Sequence, residues 1–283
     1  MLVECVINIS EGRDARLLSL LDASAGPLLL DRHSDPDHHR SVYTLVGPAP
    51  DVAAAARALA TATVEALDLR AHQGAHPRFG VLDVVPFVPY EPGQPPPHDL
   101  RAVQGLRDDF ARWLATELGV PSFLYGPLPG GGWRTLPDVR RGAFSSLLPY
   151  AGPDHPHDTA GACAVGARAV LVAYNVWVSS LAVARRVAPG LRSSSVRALG
   201  LAVGDRAQVS CNLVDPIHVG PEQLFDAVTA RLATQGGAVL GAELVGLLPR
   251  AVLGSTEASR WAELGLADGL TVESRLEHNA VDR

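Results

Sequence analysis

Histidines suited to proton transfer are concentrated in three short polar segments. Seven of the ten histidines lie in these segments, which run from His33 to Arg40, from His72 to Gly80 and from Gly152 to Gly161. A fourth polar segment, Asn8–Arg13, follows the first apolar stretch. Because the ordinary pKa of histidine lies close to neutrality, its side chain suits general acid–base catalysis. We expect each segment at the end of a helix or strand, where side chains converge on a cleft.

The pair His72 and His76 allows three interpretations. Spaced four residues apart, the two rings would share one face of a helix and could bind zinc. Gly74 and Pro77 disfavour a helix, however, and the glutamate of an HExxH motif is absent. Both histidines could instead be solvated loop residues. In the catalytic interpretation, Pro77 fixes the backbone and Arg78 places a cation beside His76, which lowers the pKa of its ring and leaves it able to accept a proton.

Other residues are weaker candidates for chemistry. The histidines and aspartates of residues 31–40 could form a divalent-metal cluster, a polar turn held by side-chain hydrogen bonds or a substrate contact. Ser10 lies in no GxSxG motif, Cys163 lies among small residues, and no GxGxxG or Walker A motif follows a strand. Four arginines are suited to bidentate contacts with carboxylates: Arg40, Arg78, Arg134 and Arg140.

The composition indicates a globular protein that acts on small molecules. The 283 residues are 47% hydrophobic and 19% charged, and the net charge is -6. A general nucleic-acid binder needs a basic face that displaces counterions from phosphates, so this charge argues against one. Three cysteines without a CxxC pair favour a reducing compartment. We therefore expect a cytoplasmic protein that binds neither nucleic acid nor membrane.

The apolar periodicity predicts an α/β fold with two similar halves. Strands and helices follow the order β-α-β-β-α-β, with an additional α-β, over residues 2–125, and the six-element order recurs over residues 168–245. We predict two subdomains with mixed sheets covered by helices, at residues 1–165 and 166–283. The Gly- and Pro-rich residues 127–165 are expected to be irregular but functional. The polar tail beyond Glu273 is expected to be disordered.

Motifs along nearly the whole chain resemble the glutamate formimidoyltransferase family. Val3–Arg13 resembles the family's opening VECVPNFSEGR, and His72–Phe87 carries its long HxGxHPRxGxxDVxPF pattern. Further similar segments follow in the same order: His39–Gly47, Leu124–Gly126, Arg134–Pro137, Val165–Arg168, Gln208–Leu213 and Leu244–Leu247.

The resemblance implies a reaction, a fold and a set of site residues. The family transfers a formimino group from N-formiminoglutamate to N5 of tetrahydrofolate, a co-substrate, without a metal and as part of histidine degradation. It implies two α/β subdomains, a homodimer and His76 as the catalytic acid/base. The segment implied to bind folate comprises Gly152, Pro153, Asp154, His155, Pro156, His157, Asp158, Thr159, Ala160 and Gly161. Candidate substrate-binding residues in the other polar segments are Asn8, Ser10, Glu11, His33, His39, Arg40 and Arg78.

The sequence departs from the family pattern at four positions. His33 and His39 stand where the family has aspartate and asparagine, Ile7 replaces a proline, and Trp177 replaces the second asparagine of an N-x-N motif. The change at residue 33 removes an orienting partner for His76, and the change at residue 177 removes amide contacts from a substrate pocket. Two alternatives therefore stay open: a folate-dependent one-carbon transferase with a different donor, and a folate-binding protein without catalytic activity.

Overall fold

Two units, each with its own sheet, make up the structure. The computed structural model describes residues 1–75, 78–94 and 99–281. The first unit consists of Met1–Tyr90 and His98–Ala169, and the second consists of Glu91–Pro97 and Val170–Arg283. In the described part of the chain, no helix combines the length and apolar character needed to cross a membrane.

The first unit follows the element order predicted from the sequence, which is confirmed. Its first eight elements are β1 (Leu2–Ile9), α1 (Ala15–Ala25), β2 (Leu29–Asp35), β3 (Arg40–Pro48), α2 (Ala49–Ala66), β4 (Leu82–Tyr90), α3 (Arg101–Leu118) and β5 (Ser122–Pro127). Three short elements complete it: β6 (Trp133–Arg134), α4 (Leu136–Gly142) and β7 (Cys163–Ala167).

The sheet of the first unit is mixed. Its strand order is β2-β3-β1-β4-β7-β5-β6. The four strands from β2 to β4 pair antiparallel, whereas β7 lies parallel to both β4 and β5. Strand β4 is buried along its whole length, which explains its nearly continuous apolar sequence. The chain therefore leaves this sheet only after β7.

The second unit repeats the topology of strands β1 to β4. Its elements are β8 (Val172–Val178), α5 (Leu181–Leu191), β9 (Val196–Val203), β10 (Arg206–Leu213), α6 (Pro221–Gln235), β11 (Val239–Val245), α7 (Arg250–Gly254) and α8 (Val272–Val281). The strand order β11-β8-β10-β9 corresponds to β4-β1-β3-β2 in the first unit, and every pair is antiparallel. The predicted fold class, two similar α/β subdomains, is confirmed.

One expectation about irregular regions is confirmed in part, and the other is wrong. Residues 127–165 are irregular over residues 143–162, but they also contain β6, α4 and the start of β7, a short stretch of small residues between two strands that are distant in sequence. The tail beyond Glu273 forms most of helix α8. Glu273 is buried, and its carboxylate accepts a hydrogen bond at 2.8 Å from the N–H of Arg250 at the start of α7. This contact holds the polar tail against the second unit.

Each face of the first sheet carries its own apolar cluster. The larger cluster contains alternate residues of β1, such as Ile7 and Ile9, together with apolar residues of α2 and α3. The smaller cluster contains Val84, Phe123, Tyr125 and Val139, the last of these from α4. Because side chains alternate along a strand, helices cover one face, and the segment around α4 covers part of the other.

Replacing Gly200 of β9 with alanine is predicted to destabilise the second unit. An added Cβ would lie 2.4 Å from the backbone nitrogen of Arg185 in α5, and backbone atoms cannot give way as a flexible side chain can. We expect a loss of about 1–3 kcal/mol in the free energy of unfolding, measured by chemical denaturation. The control is Gly254→Ala, since no atom lies within 4 Å of its added Cβ. Equal stability of the two variants would contradict the close packing of α5 on β9.

Candidate functional site

Glu11 organises the turn that joins β1 to α1. Its Oε1 atom accepts hydrogen bonds from the backbone N–H groups of Gly12, Arg13 and Asp14 at 2.8, 2.6 and 2.9 Å. Burial opposes ionisation of Glu11, but these hydrogen bonds and the nearby His39 outweigh it, so the pKa of the carboxyl group is lowered. Glu11 is therefore a buried carboxylate that stabilises its own turn.

The hairpin between β2 and β3 brings His39 next to Glu11. Asp35 begins the turn by accepting hydrogen bonds from two backbone N–H groups at 2.8 and 2.7 Å, so the polar-turn interpretation of this segment is confirmed. His39 follows with a φ of 49°, which is uncommon for a residue other than glycine. Its ring Nε2 lies 3.2 Å from Oε1 of Glu11, and its Nδ1 lies 3.0 Å from the carbonyl oxygen of Gln73.

Asp83 lies at a β-bulge in β4. Asn8 pairs with Val84 and Ile9 pairs with Leu82, so the register between β1 and β4 shifts at this point. Leu82 belongs to the larger apolar cluster and Val84 to the cluster on the opposite face. Strict alternation would place residues 82 and 84 on the same face, so Asp83 is the additional residue of the bulge. The bulge allows a carboxylate within a strand that is otherwise apolar.

The carboxylate of Asp83 joins two arginines and one backbone amide. Its Oδ2 accepts hydrogen bonds from Nη1 of Arg40 and Nη2 of Arg140, both at 2.6 Å. Its Oδ1 accepts a hydrogen bond from the N–H of Phe79, also at 2.6 Å. Burial favours the neutral acid, but the two guanidinium groups outweigh burial and lower the pKa of Asp83. One buried anion thus fixes β3, α4 and the residues before β4.

Asn8 holds Arg40 from a second side. The side-chain oxygen of Asn8 accepts hydrogen bonds from Nε and Nη2 of Arg40 at 3.1 and 2.8 Å. Burial lowers the pKa of the Arg40 guanidinium, Asp83 raises it, and Arg140 lowers it further, with a net lowering. The structure therefore brings together two of the predicted substrate-binding residues, Asn8 and Arg40.

Residues 72–75 pack against the turn of the β2–β3 hairpin. The N–H of Ala75 donates to the carbonyl oxygen of Asp37 at 3.2 Å, and Nε2 of His72 lies 2.8 Å from the carbonyl oxygen of His39. The rings of His72 and His39 stack with their centroids 4.1 Å apart and their planes 20° apart. Gly74 is required here, because an added Cβ would lie 2.3 Å from the carbonyl oxygen of His38.

Arg78 lies beside the first histidine of the conspicuous pair. Its guanidinium contacts the ring of His72, and its Nη2 lies 3.4 Å from the carbonyl oxygen of His38. Burial and the positive charge of Arg40 lower the pKa of Arg78. His76 and Pro77 lie outside the described residues, so the expected cation beside His76 and its catalytic role both stay predictions.

The segment predicted to bind folate has an exposed part and a buried end. Residues 152–156 are exposed, whereas Ala160 and Gly161 are buried. Nδ1 of His157 accepts hydrogen bonds from the N–H groups of Thr159 and Ala160 at 3.3 and 3.1 Å, so this ring atom stabilises the local turn. Backbone hydrogen bonds at 3.0 and 3.1 Å join residues 160–162 to residues 79–81. The fold therefore places this segment next to the residues that follow the histidine pair.

Ser10 and His33 do not contact Asp83, Arg40 or Arg140 through the hydrogen bonds described above. Ser10 is buried, and its hydroxyl donates to the carbonyl oxygen of Gly80 at 2.9 Å, which fastens the end of β1 to the residues before β4. His33 belongs to β2, a strand at the edge of the sheet, and lies opposite Val42 of β3. A substrate contact by either residue stays a prediction.

Three arginines lie near a single buried carboxylate in this part of the first unit. Arg40, Arg78 and Arg140 are close to one buried carboxylate, Asp83, as their electrostatic effects on each other indicate. Guanidinium groups attract anions and can hold a carboxylate through two hydrogen bonds. Within residues 1–75, 78–94 and 99–281, no group of three or more His, Cys, Asp and Glu side chains is arranged to hold a metal ion. The arrangement is suited to binding an anion.

Asp83 was not among the site residues predicted from the sequence, although it lies at the centre of this cluster. Its signal was available, because an aspartate in an otherwise apolar strand is costly to bury unless it is paired. The partners could not be assigned, since Arg40 and Arg140 lie 43 and 57 residues away along the chain.

Comparisons with known proteins decide the family. The model of the formiminotransferase domain, N-terminal subdomain, matches residues 2–168. The glutamate formimidoyltransferase of Streptococcus pyogenes serotype M1 is 34% identical over 277 residues, which cover 89% of this chain and 90% of that protein. The chain belongs to the formiminotransferase family. It is a transferase of one-carbon formimino groups, and the resemblance found in the sequence motifs is confirmed.

Two further relatives show how far the similarity extends. The glutamate formimidoyltransferase of Thermoplasma acidophilum is 32% identical over 305 residues and matches 99% of this chain and 98% of its own length. The formimidoyltransferase-cyclodeaminase of Sus scrofa is 34% identical over 276 residues, which cover 88% of this chain but 50% of that protein. All the predicted site residues lie within the region matched by the family model.

Replacing Asp83 with asparagine is predicted to destabilise the first unit and to change its response to acid. The variant leaves Arg40 and Arg140 without their shared anion, which costs about 3 kcal/mol in the free energy of unfolding. Because the pKa of Asp83 is lowered in the folded protein, its contribution is complete above its unfolded pKa of about 3.9 and is lost as the pH falls through the folded value.

Denaturant unfolding at neutral pH and at a series of acid pH values measures both effects. Asp83→Asn should be less stable at neutral pH and should lose less further stability in acid than the unmodified protein. The control is Asp109→Asn, whose exposed carboxylate pairs with Arg112 on α3 and should change the stability little. A neutral effect of Asp83→Asn would show that the buried anion does not hold these elements together.

Proposed function

We propose that the chain transfers the formimino group of N-formiminoglutamate to N5 of tetrahydrofolate. The observation that carries this proposal is the similarity to proteins named glutamate formimidoyltransferase over 90% and 98% of their own lengths. Arg78, which contacts His72, and the nearby Arg40 support it, because formiminoglutamate carries carboxylates that guanidinium groups bind well.

The proposed reaction needs one proton acceptor and one proton donor. N5 of tetrahydrofolate attacks the formimino carbon, a new N5–C bond forms, and a tetrahedral intermediate results. The N5 proton passes to the ring of His76. The bond between this carbon and the glutamate nitrogen then breaks, and the protonated His76 returns a proton to the departing amine. A histidine that titrates near neutrality can perform both transfers.

The surroundings of the loop suggest where each substrate binds. Arg78 and Arg40 would hold a carboxylate of formiminoglutamate, with Asn8 and Asp83 orienting Arg40. The exposed residues 152–156 would contact the folate, since backbone hydrogen bonds place the end of this segment next to residues 79–81. Two oriented substrates react much faster than two free ones, because the entropy of bringing them together has already been lost on binding.

Five further properties belong to the same proposal. Tetrahydrofolate acts as a co-substrate, and the transfer itself requires no metal. The protein acts in the cytoplasm, in histidine degradation. It forms a homodimer, as the family resemblance implies. Sedimentation of the purified protein measures the last of these.

Replacing His76 with asparagine is predicted to abolish most of the activity. Asparagine is similar in size to the imidazole ring but cannot take up a proton, so kcat should fall about 10²–10⁴-fold while both KM values change little. The assay follows formation of 5-formimidoyl-tetrahydrofolate by the purified protein. The control is His218→Asn, whose exposed ring pairs with Asp215 in the second unit. A fully active His76→Asn would refute the assigned role.

The same assay separates the remaining alternatives. Activity with another formimino or formyl donor, but not with formiminoglutamate, would identify a related transferase with a different donor. Calorimetric binding of tetrahydrofolate without turnover of any donor would identify a folate-binding protein.

Replacing Arg78 with glutamine is predicted to weaken binding of the donor more than it slows turnover. Loss of a charge-assisted hydrogen bond to a carboxylate, worth about 1.5–3 kcal/mol, should raise the KM for formiminoglutamate about 10- to 100-fold. The control is Arg141→Gln, whose exposed guanidinium pairs with Asp138. An unchanged KM, measured at saturating folate, would exclude this arginine from the donor site.

A further inference from the structure

The ring of His39 faces an acceptor oxygen with each of its nitrogens. Nδ1 lies 3.0 Å from the carbonyl oxygen of Gln73, and Nε2 lies 3.2 Å from Oε1 of Glu11. A carbonyl oxygen and an ionised carboxylate can only accept hydrogen bonds. Both ring nitrogens must therefore carry a proton for both contacts to form. Only the positively charged imidazolium form of histidine meets this requirement.

The surroundings of His39 are consistent with a single positive charge on this ring. Glu11 provides a carboxylate whose pKa is lowered, against the effect of burial, by backbone hydrogen bonds and by His39 itself. The stacked ring of His72 contacts the carbonyl oxygen of His39 through Nε2 and also contacts the guanidinium of Arg78. On the same hairpin, Asp35 pairs with His38 at 4.0 Å and Arg40 pairs with Asp83 at 2.6 Å.

His39 thereby connects three separate parts of the chain. Its own backbone is in the hairpin between β2 and β3, Glu11 follows β1, and Gln73 belongs to residues 72–75. Those residues contact the same hairpin through the N–H of Ala75 and the ring of His72. The two contacts of the His39 ring, with Gln73 and with Glu11, form together only when that ring is positively charged.

We propose that His39 is a positioning residue whose imidazolium form fastens residues 72–75 to Glu11, and that catalysis depends on pH through this contact. After loss of its proton, the ring keeps one N–H and directs a lone pair at the other oxygen, so one of the two contacts becomes repulsive. The connection is complete while Glu11 is ionised and His39 carries both ring protons, and it weakens when the ring loses a proton. The kinetic part rests on the proposed function, because residues 72–75 directly precede His76.

The protonation of His39 can be measured without any assay of activity. In protein labelled with ¹⁵N at its histidine rings, the resonances absent from His39→Asn belong to His39. We expect a pH range in which the protein is folded and both of its nitrogens are protonated, and we expect the amide signals of residues 73–75 to shift when the ring loses a proton. A ring that is neutral at every pH at which the protein is folded, or amide signals that do not respond to the loss of its proton, would overturn the proposal. This result does not depend on which donor the enzyme uses.

The kinetic test compares His39→Asn with the unmodified enzyme over a range of pH. Asparagine tolerates the positive φ of residue 39, and its amide can still donate to Gln73, so the variant should fold. We expect the alkaline loss of kcat present in the unmodified enzyme to disappear in His39→Asn, with kcat at low pH reduced about tenfold and both KM values nearly unchanged.

Two controls complete the kinetic test. His39→Ala should lose more activity than His39→Asn at every pH, because alanine offers no donor to Gln73 and is strained at a φ of 49°. His218→Asn should keep the unmodified pH profile. An alkaline limb that persists in His39→Asn would overturn the proposal. Inactivity of every variant, including the unmodified protein, would count against the proposed function and leave the NMR test of His39 unaffected.

Discussion

The buried carboxylate of Asp83 is the interaction on which the candidate site depends. It compensates the charges of Arg40 and Arg140, which come from β3 and α4, and accepts a hydrogen bond from Phe79 just before β4. A buried charge is stable only when it is paired and hydrogen-bonded, and here one anion satisfies two cations. The β-bulge at Asp83 makes this possible by interrupting the alternation of an apolar strand.

A second set of contacts holds residues 72–75, which directly precede His76, against neighbouring turns of the first unit. The turn after β1, the hairpin between β2 and β3, and residues 72–75 meet around Glu11, His39 and His72. These contacts are mostly between polar groups and depend on a close backbone approach at Gly74. The site therefore combines a rigid sheet, which positions the arginines, with a polar connection that is sensitive to charge. In the proposed function, this division would let the arginines hold anionic substrates while a proton moves between them.

The sequence predicted more of the fold than of the site. Helices and strands followed from apolar periodicity, and the repeated β-α-β-β-α-β order followed from them. The elements that were missed, such as β7 and α8, are short or polar. Their structure depends on neighbours: β7 lies between β4 and β5, and the acidic side chain of Glu273 at the start of α8 holds the N–H of Arg250. Local patterns cannot reveal such partners.

By itself, the sequence determined the family and predicted the segments that carry the chemistry, because long motifs such as the one around His76 preserve residue types and spacing. Only the tertiary structure decided which side chains meet. Two groups of residues show this, because their members lie far apart along the chain. Asp83 meets Arg40 and Arg140, and His39 lies between Glu11 and Gln73. Charges and hydrogen bonds act over a few ångströms in space, so their partners are fixed by the register of the sheet and the position of its bulge, and not by sequence spacing.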